Sequence, residues 1–469
     1  MLSSNTVRNV GYKMNNIIGV MREGISKRGE KRVAITPKYA KEIFSWGHKI
    51  IVQPAKHPKT FEIKRAFHDR DYKLAGAEIS EDISKAKVIF GLKEIHNTRI
   101  LPNKAYYFFS HTHKGQIKNR LMLKKLMELG ATLIDYELID DEKNNRQITA
   151  FTYNAGYAGM VDTLWTLGKR LALSGIPTAF DLIPQAVEGQ DLLSVKNILN
   201  RVAKKIEREG TPANIPPIIV CFLGKGKTAH GAREIFNILP HSDIKLDDLE
   251  KVFKYGTRKK IYALQIRTDE IYRLKKTMQF AAENYDRLNA FEKRKFYLEH
   301  SEYFKSNLQT VLPYVTVLMN CVIWSHEYPR MVTKKMIKDV YSKYKTLIAV
   351  GDITCDPNGS IEFSKETWID NPVYIYNPED ESIKDGFVGK GIAVMAVTNL
   401  PCEFSSDASN EFSEDLQPFL KAIVSANYKD SLIDSNLPDE IKRAVIMWKG
   451  RFTKRYSYMK EYIENVVQH

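Results

Sequence analysis

Two ionisable side chains, Lys93 and His111, each follow a short apolar segment of the sequence. Residues 88–92 lead into Lys93, and residues 106–109 lead through Ser110 to His111. If the two segments form neighbouring parallel strands, an amine and an imidazole meet at the carboxyl edge of a sheet, where open α/β sheets bind ligands. Such a pair can exchange protons near neutral pH when burial and mutual repulsion lower both pKa values. The alternative is a solvated Lys93 at a strand end and a His111 that caps a turn.

The elements that would position this pair alternate between strand-like and helix-like patterns. Residues 17–21 predict a first strand, and Thr36 with Pro37 suits the N-cap and first turn of a helix. Residues 131–139 predict a further strand, which carries Glu137. This alternation predicts an α/β fold with a mostly parallel sheet.

A glycine-rich loop follows the buried strand that residues 216–223 predict. Its glycines are Gly224, Gly226 and Gly231, and an amphipathic helix comes next. A strand, a glycine turn and a helix together present backbone N–H groups to a pyrophosphate, although the spacing differs from the usual GxGxxG. A phosphate-binding NTPase loop is excluded, because Cys221 stands where that motif needs a glycine. The loop therefore predicts a dinucleotide site.

Two pairs of aspartates follow later strands of this second region. Asp247 and Asp248 are weak candidates for binding a ribose 2′-hydroxyl, and their ambiguity leaves NADP as open as NAD. Asp352 and Asp356 come after the strand predicted at 346–350, where they would face a cleft. The alternative for them is an Asp-Pro-Asn-Gly turn with no further role.

The composition of successive segments predicts how the chain divides, with a domain boundary between about 150 and 215. The predicted parts are a leader or targeting segment at 1–16, a substrate domain at 17–175, a dinucleotide-binding domain at 215–350 with a polar, tyrosine-rich insertion at 250–310, and a segment at 351–469 that returns to the first domain.

The composition also excludes several classes of protein. The chain has 469 residues and 43% hydrophobic residues, but no apolar run approaches the roughly 20 residues of a membrane span. The net charge of +15 comes from 71 basic and 56 acidic residues that are mixed along the chain, which argues against a nucleic-acid partner and favours anionic small substrates. The four cysteines lie far apart, so we expect buried thiols and no metal site: Cys221, Cys321, Cys355 and Cys402.

Residues 1–16 contain Arg8, Lys13 and no acid. This composition fits a segment for import into the mitochondrial matrix. It fits equally well an upstream start codon, with the functional start at Met14. In that case the protein would stay in the cytoplasm.

Several motifs resemble the alanine dehydrogenase and saccharopine dehydrogenase family. They are EKRVAITP at 30–37, GLKE at 91–94 and FSHT at 109–112. Within that family the chain is most similar to the lysine-ketoglutarate reductase half of the bifunctional aminoadipic semialdehyde synthases, through FFSHT, LIDYE, GSIEF and the glycine spacing of the loop. The resemblance runs from about residue 17 to the C-terminus. The second enzyme half is missing, which implies a monofunctional reductase.

The resemblance implies two Rossmann-like domains with mostly parallel sheets around a cleft that closes over the substrates. It also implies a reaction in which L-lysine and 2-oxoglutarate condense and NADPH, or alternatively NADH, reduces the imine to saccharopine. By family position Lys93 and His111 would move the protons and Glu137 would tune them by its charge. Arg32 would hold a substrate carboxylate, because its fork matches two oxygens.

In the second domain the resemblance implies that Asp352, or alternatively Asp356, lies near the nicotinamide. Gly224, Gly226 and Gly231 would line the pyrophosphate. Two alternatives stay open, namely an NAD-dependent, lysine-forming saccharopine dehydrogenase and a non-catalytic module that binds lysine or a nucleotide. The sequence also allows a homo-oligomer without determining the oligomeric state.

Overall fold

The computed structural model describes residues 16–281, 285 and 287–464. The expected leader at 1–16 therefore lies outside the described residues, except for Asn16. The chain divides into two compact units. One consists of Met1–Ala150 with Ser405–His469, and the other of Phe151–Phe404.

The first unit is built around an eight-stranded sheet in the order β18-β17-β6-β5-β4-β1-β2-β3. Its strands are β1 Ile17–Val20, β2 Lys49–Val52, β3 Glu78–Ile79, β4 Val88–Phe90, β5 Ala105–Phe108, β6 Thr132–Asp135, β17 Val445–Trp448 and β18 Arg451–Phe452. Its α-helices are α1 Pro37–Ser45, α2 Asp69–Leu74, α3 Arg120–Glu128, α11 Ser405–Ser425, α12 Asp439–Arg443 and α13 Glu461–Glu464. The pairs are parallel from β6 to β3, whereas β17 and β18 add as antiparallel edge strands.

The second unit has its own eight-stranded sheet, in the order β15-β14-β16-β13-β12-β7-β9-β8, and a separate pair β10-β11. The strands are β7 Ile219–Leu223, β8 His241–Ile244, β9 Ile261–Ile266, β10 Tyr272–Leu274, β11 Phe304–Ser306, β12 Val317–Asn320, β13 Ala349–Asp352, β14 Val373–Tyr376, β15 Ile383–Asp385 and β16 Ile392–Met395. The α-helices are α4 Thr152–Leu173, α5 Leu192–Glu209, α6 Lys227–Phe236, α7 Leu249–Tyr255, α8 Thr268–Ile271, α9 Ala290–Glu299 and α10 Lys334–Tyr341.

The sheet of the second unit is buried on both faces. Along β7, Val220 and Phe222 belong to one hydrophobic core, while Ile219, Cys221 and Leu223 belong to the other. Alternate side chains of a strand point to opposite faces, so β7 must be apolar at every position. The expectation of mostly parallel α/β sheets in two units is confirmed.

The strand that follows β7 in the chain does not pair with it. β8 crosses to the edge of the sheet, and β9 occupies the place beside β7. The burial of the two strands explains the exchange: five of the six residues of β9 are buried, whereas β8 is partly exposed along its length. The more apolar strand takes the interior position, because that position removes more apolar surface from water.

Two helices of the second unit pack with their backbones in close approach. A Cβ added to Gly231 of α6 would lie 2.4 Å from the carbonyl oxygen of Tyr153 in α4. A Cβ added to Gly156 of α4 would lie 2.2 Å from the carbonyl oxygen of Thr228 in α6. Each helix thus presents a glycine to the backbone of the other, and no larger residue fits at either place.

The observed units differ from the expected division of the chain. The first boundary falls at 150, and only the part of 351–469 that begins at Ser405 joins the first unit. β13, β14 and β16 complete the sheet of the second unit, which keeps residues 351–404 there. The insertion expected at 250–310 contains β9, a central strand, so the residues outside the main sheet begin only after Ile266.

All four cysteines are free and buried, as expected. None of the helices in the described part of the chain is long and apolar enough to cross a membrane.

Candidate active site

Lys93 and His111 follow neighbouring parallel strands, as the sequence predicts. β4 pairs with β5, and the pairing continues beyond both strands, where the N–H of Phe109 donates to the carbonyl oxygen of Leu92 at 2.9 Å. The two residues therefore leave the same carboxyl edge of the sheet in the first unit. Lys93 is partly buried there.

A buried carboxyl group supports the backbone at Lys93. Oε1 of Glu23 accepts the N–H of Leu92 at 2.9 Å and that of Lys93 at 3.4 Å. Burial, assisted by the charge of Glu30, raises the pKa of Glu23 to about 7. The group can thus gain or lose a proton near neutrality. No motif in the sequence singles out Glu23, although it lies in the polar loop that follows β1.

The side chain in contact with His111 is Glu94. Nδ1 of His111 lies 3.1 Å from Oε2 of Glu94, whose other oxygen forms ion pairs with Lys27 at 2.5 Å and Lys118 at 3.4 Å. Burial alone would raise the pKa of Glu94, but the contacts with His111 and Lys27 lower it well below its usual range. His111 itself has a φ of 48°, in the left-handed region that few side chains adopt.

The carboxylate of Glu137, which was expected to tune Lys93 and His111 by its charge, pairs with two other cations of the first unit. It accepts from Arg146 at 2.6 Å and forms an ion pair with Lys114 at 3.5 Å. Burial would raise the pKa of Glu137, but Lys114, His113 and Arg146 lower it overall. In the described structure the carboxylate that orients His111 is therefore that of Glu94, one residue after Lys93.

Arg32 is almost fully buried and is held by its neighbour Glu30. Nε of Arg32 donates to Oε1 of Glu30 at 2.8 Å, and a terminal nitrogen donates to Oε2 at 2.6 Å. This forked pair accounts for two of the nitrogens that a substrate carboxylate would need. Substrate binding by Arg32 would therefore have to use its remaining donors or displace Glu30.

Tyr136 adds a polar group that the sequence analysis quoted only as part of a motif. Its side chain is fully buried, and its phenol oxygen has no hydrogen-bond partner among the residues that the structure describes. Burial, followed by the charge of Glu23, raises the pKa of Tyr136 well above its usual range. A neutral phenol without a partner is suited to donate to a bound anion or carbonyl.

In the second unit, Gly224 and Gly226 form the turn between β7 and α6. Gly224 has a φ of 90°, and its N–H donates to the carbonyl oxygen of Ile266 at 2.8 Å. Gly226 is the N-cap of α6, and a Cβ built there would meet no atom within 4 Å. The open space before the N-terminus of a ten-residue helix fits a pyrophosphate, whose charge the first N–H groups would bind.

Gly231 has a different position from the one expected for it. It lies within α6 and packs against the backbone of α4 at Tyr153, so it serves helix packing and does not line the loop. In dinucleotide-binding folds the third glycine of the motif commonly has this packing role.

The exchange of β8 and β9 changes which residues lie near the expected ribose position. Asp247 and Asp248 follow β8, at the edge of the sheet and one strand away from β7. The strand beside β7 ends with Gln265 and Ile266, and Arg267 comes next. Arg267 is partly exposed and pairs with Asp269 through two contacts of 2.9 and 2.5 Å. The greater hydrophobicity of residues 261–266 is the sequence signal that could have identified this strand.

Asp352 ends β13 and is enclosed within the second unit. Its carboxylate accepts from Asn320 at 2.7 Å, from the hydroxyl of Ser364 and from the N–H of Cys355 at 3.3 Å. Burial raises its pKa. Asp356 is only half-buried, and its carbonyl oxygen accepts from Gly359 within a turn. Of the two expected aspartates, Asp356 is the more accessible.

The described residues contain no group of three or more His, Cys, Asp or Glu side chains that could hold a metal ion. At this sheet edge the first unit presents amine, imidazole, carboxyl and phenol groups, whose chemistry suits proton transfer and anion binding. The second unit has a glycine turn and a helix N-terminus that fit a dinucleotide.

Two domain models of one protein family match this chain. The model of the alanine dehydrogenase/PNT N-terminal domain matches residues 19–158, and that of the C-terminal domain matches residues 259–455. Among solved structures, an L-alanine dehydrogenase aligns over 95% of this chain and 98% of its own, with a TM-score of 0.58 and 16% identity. A transhydrogenase from Sinorhizobium meliloti aligns over 93% and 100%, with a TM-score of 0.52 and 12% identity.

Curated relatives include proteins that match almost the whole chain. The alpha-aminoadipic semialdehyde synthase of Arabidopsis thaliana is 34% identical over 95% of this chain and 41% of its own length. The mitochondrial enzyme of that name from Rattus norvegicus is 28% identical over 97% of this chain and 49% of its own. This chain thus spans less than half the length of these relatives. An NAD(+), L-lysine-forming saccharopine dehydrogenase from Emericella nidulans is 23% identical over 84% and 89%. The resemblance drawn from the motifs is confirmed, and the chain belongs to the alanine dehydrogenase/PNT family.

Proposed function

We propose that the chain is a monofunctional lysine-ketoglutarate reductase, which condenses L-lysine with 2-oxoglutarate and reduces the imine to saccharopine. The observation that carries this proposal is the 34% identity to a plant alpha-aminoadipic semialdehyde synthase over 95% of the chain.

The chemistry of the proposed reaction matches the groups at this sheet edge. The side-chain amine of lysine must be neutral to attack the keto carbon of 2-oxoglutarate, and the hydroxyl of the resulting carbinolamine must be protonated to leave as water. His111, in contact with Glu94, and Lys93 would move these protons. Glu23, with a pKa of about 7, provides a further proton acceptor close to the backbone of Lys93.

The second unit would bind the reduced nicotinamide nucleotide, which supplies the hydride to the imine carbon. Gly224 and Gly226 would hold its pyrophosphate at the N-terminus of α6. Glycine at both positions keeps side chains out of this approach.

Arg267 favours NADPH as the cofactor. In dinucleotide-binding folds, the end of the strand beside the first strand lies near the adenosine ribose, where an acid binds a 2′-hydroxyl and an arginine accommodates a 2′-phosphate. In this chain that strand is β9, and Arg267 follows it. A phosphate with two negative charges would compete well with Asp269 for the guanidinium.

Asp269 is the observation that favours the alternative, an NAD-dependent, lysine-forming saccharopine dehydrogenase. It lies two residues after Arg267 and is largely buried. If Asp269 turned to a ribose 2′-hydroxyl, the site would prefer NADH. The two functions therefore differ in cofactor preference and in the favoured direction of the reaction.

A coupled assay separates the candidates. Purified full-length protein is mixed with L-lysine, 2-oxoglutarate and either NADPH or NADH, and the loss of reduced cofactor is followed by absorbance. We expect oxidation of the cofactor to need both substrates and to be faster with NADPH than with NADH at equal concentration. Faster turnover with NAD(+) and saccharopine would support the alternative. Binding of lysine or nucleotide without any turnover would support a non-catalytic module.

A further inference from the structure

A cavity rich in lysines lies at the opposite edge of the first unit's sheet from Lys93 and His111. It has a volume of about 340 Å³ and adjoins the amino ends of β4, β5 and β6. The residues that define it chemically are Lys87, Lys104, Lys429, Lys449, Thr132 and Tyr428. Among the described residues that line it, none is acidic.

The charges around this cavity are poorly compensated. Burial, followed by the charges of Lys104, Lys449 and Lys429, lowers the pKa of Lys87, and the charged side chains that act on it are all lysines. Burial also lowers the pKa of Lys104, and the charge of Asp82 is the one cause that opposes this shift. The ammonium of Lys87 donates to the carbonyl oxygen of Asn103 at 3.1 Å. A carbonyl oxygen orients an ammonium group without neutralising it, so the repulsion between the lysines persists.

The backbone at Lys449 supports a role for its side chain. Lys449 and Gly450 join β17 to β18 with φ angles of 48° and 77°. A two-residue turn with positive φ at both positions favours Asn-Gly or Asp-Gly, and a lysine at the first position is unfavourable. This turn nevertheless carries a lysine, whose ammonium donates to the carbonyl oxygen of Lys429 beside the cavity.

We propose that this cavity binds a small phosphorylated anion. Its four cations are all lysines, which can bind a phosphate group as compact point charges. Four segments separated in sequence bring these lysines to one cavity whose volume falls within the range of small-molecule sites. The inference does not depend on the proposed function, because the cavity lies at the other edge of the sheet from the proton-transfer groups.

Titration calorimetry of the full chain with pyrophosphate at low ionic strength tests this site. We expect saturable binding that weakens as salt is added. The variant K87Q/K449Q should bind roughly tenfold or more weakly, because two of the four charges are lost. The control K41Q/K59Q, which removes two exposed lysines of the same unit, should bind like the wild type. Equal binding by K87Q/K449Q would overturn the proposal, since pyrophosphate would then be held elsewhere, such as at the glycine turn.

Two further measurements test the contribution of Lys449 and the chemical class of the ligand. Lys449→Asn suits the turn better, so we expect it to raise the melting temperature while it weakens pyrophosphate binding. If it leaves binding unchanged, Lys449 has no part in the site. Citrate, a tricarboxylate, should bind clearly more weakly than pyrophosphate. Equal affinity for citrate would overturn the assignment to phosphate.

Discussion

Nδ1 of His111 lies 3.1 Å from Oε2 of Glu94, and the two residues leave neighbouring strands of one sheet. Glu94 also binds Lys27 and Lys118, so its charge and position are maintained from several sides. The contact engages Nδ1 of His111, so Nε2 is the ring nitrogen that would exchange a proton with a substrate. Together with the positive φ at His111, this is the local geometry that is expected of a proton-transfer group.

Replacement of His111 by Gln should lower kcat by roughly a hundredfold or more, as for a lost general acid or base. Glu94→Gln should lower kcat less and leave KM for NADPH unchanged, because it removes only the support of the ring. His96→Asn keeps the cap at Thr98 and serves as the control, with activity like the wild type. Steady-state kinetics with lysine varied measures all three. Full activity of His111→Gln would contradict the assigned role.

Glu23 should shape the pH dependence of the reaction. Because its pKa in the folded protein is about 7, its carboxylate form, the one that can accept a proton, becomes populated as pH rises through that value. We expect kcat/KM to rise over this range in the wild type and to lose that rise in Glu23→Gln. A pH profile measured with both proteins checks this. An identical rise in the variant would assign the ionisation to another group.

Arg267 should determine the cofactor preference. Arg267→Gln should lower kcat/KM for NADPH roughly tenfold to a hundredfold, because a charge-assisted hydrogen bond to the 2′-phosphate is lost. The kcat/KM for NADH should change little. Arg273→Gln removes an exposed arginine from nearby β10 and should behave like the wild type with both cofactors. Equal losses with NADPH and NADH would show that Arg267 does not read the phosphate.

Two glycines of the second unit should separate stability from nucleotide binding. In Gly231→Ala the new methyl group meets the carbonyl oxygen of Tyr153 at 2.4 Å, and the overpacking should cost about 1–3 kcal/mol of unfolding free energy. In Gly226→Ala the methyl group enters open space, so the melting temperature should change little while NADPH binding weakens. Thermal melts and cofactor titrations of both variants give the answer. The reverse pattern would place the pyrophosphate at Gly231.

A buried pair of carboxyl groups in the second unit should make stability depend on pH. Asp162 accepts the N–H of Ala186 and Glu403 accepts that of Val187, at 2.7 and 3.1 Å. Their other oxygens have no partner among the described residues, and a single shared proton would satisfy both. Burial raises the pKa of Asp162 to about 7, and burial with the charge of Asp162 raises that of Glu403 well above its usual range.

Both pKa values are higher in the folded protein than in the unfolded chain. The favourable contribution of the pair to the free energy of unfolding is therefore fully present below about pH 4. That contribution is lost as pH rises to about 7 and beyond. Glu403→Gln mimics the protonated partner and should flatten the fall in melting temperature across this range. An unchanged slope in the variant would assign the pH dependence to other groups.

The local chemistry of the site was predictable from the sequence. Apolar segments that end in Lys93 and His111 indicated strands, and β4 and β5 are parallel neighbours as expected. The strand, turn and helix around Gly224 and Gly226 were also predicted. Glycines between a buried apolar strand and an amphipathic helix have few roles other than to form a tight turn. The family followed from short motifs, since they combine catalytic and backbone requirements within a few residues.

Tertiary structure alone decided which partners these residues have. Periodicity identifies strands but not their order, so the exchange of β8 and β9 and the position of Arg267 could not be derived from chain order. The contact of His111 with Glu94 depends on loop conformations beyond the strands. The packing role of Gly231 could not be derived from the glycine spacing, because its packing partner, Tyr153, is distant in sequence. In each case the deciding interaction joins residues that are not neighbours in the chain, and it forms only when burial of the apolar strands brings them together.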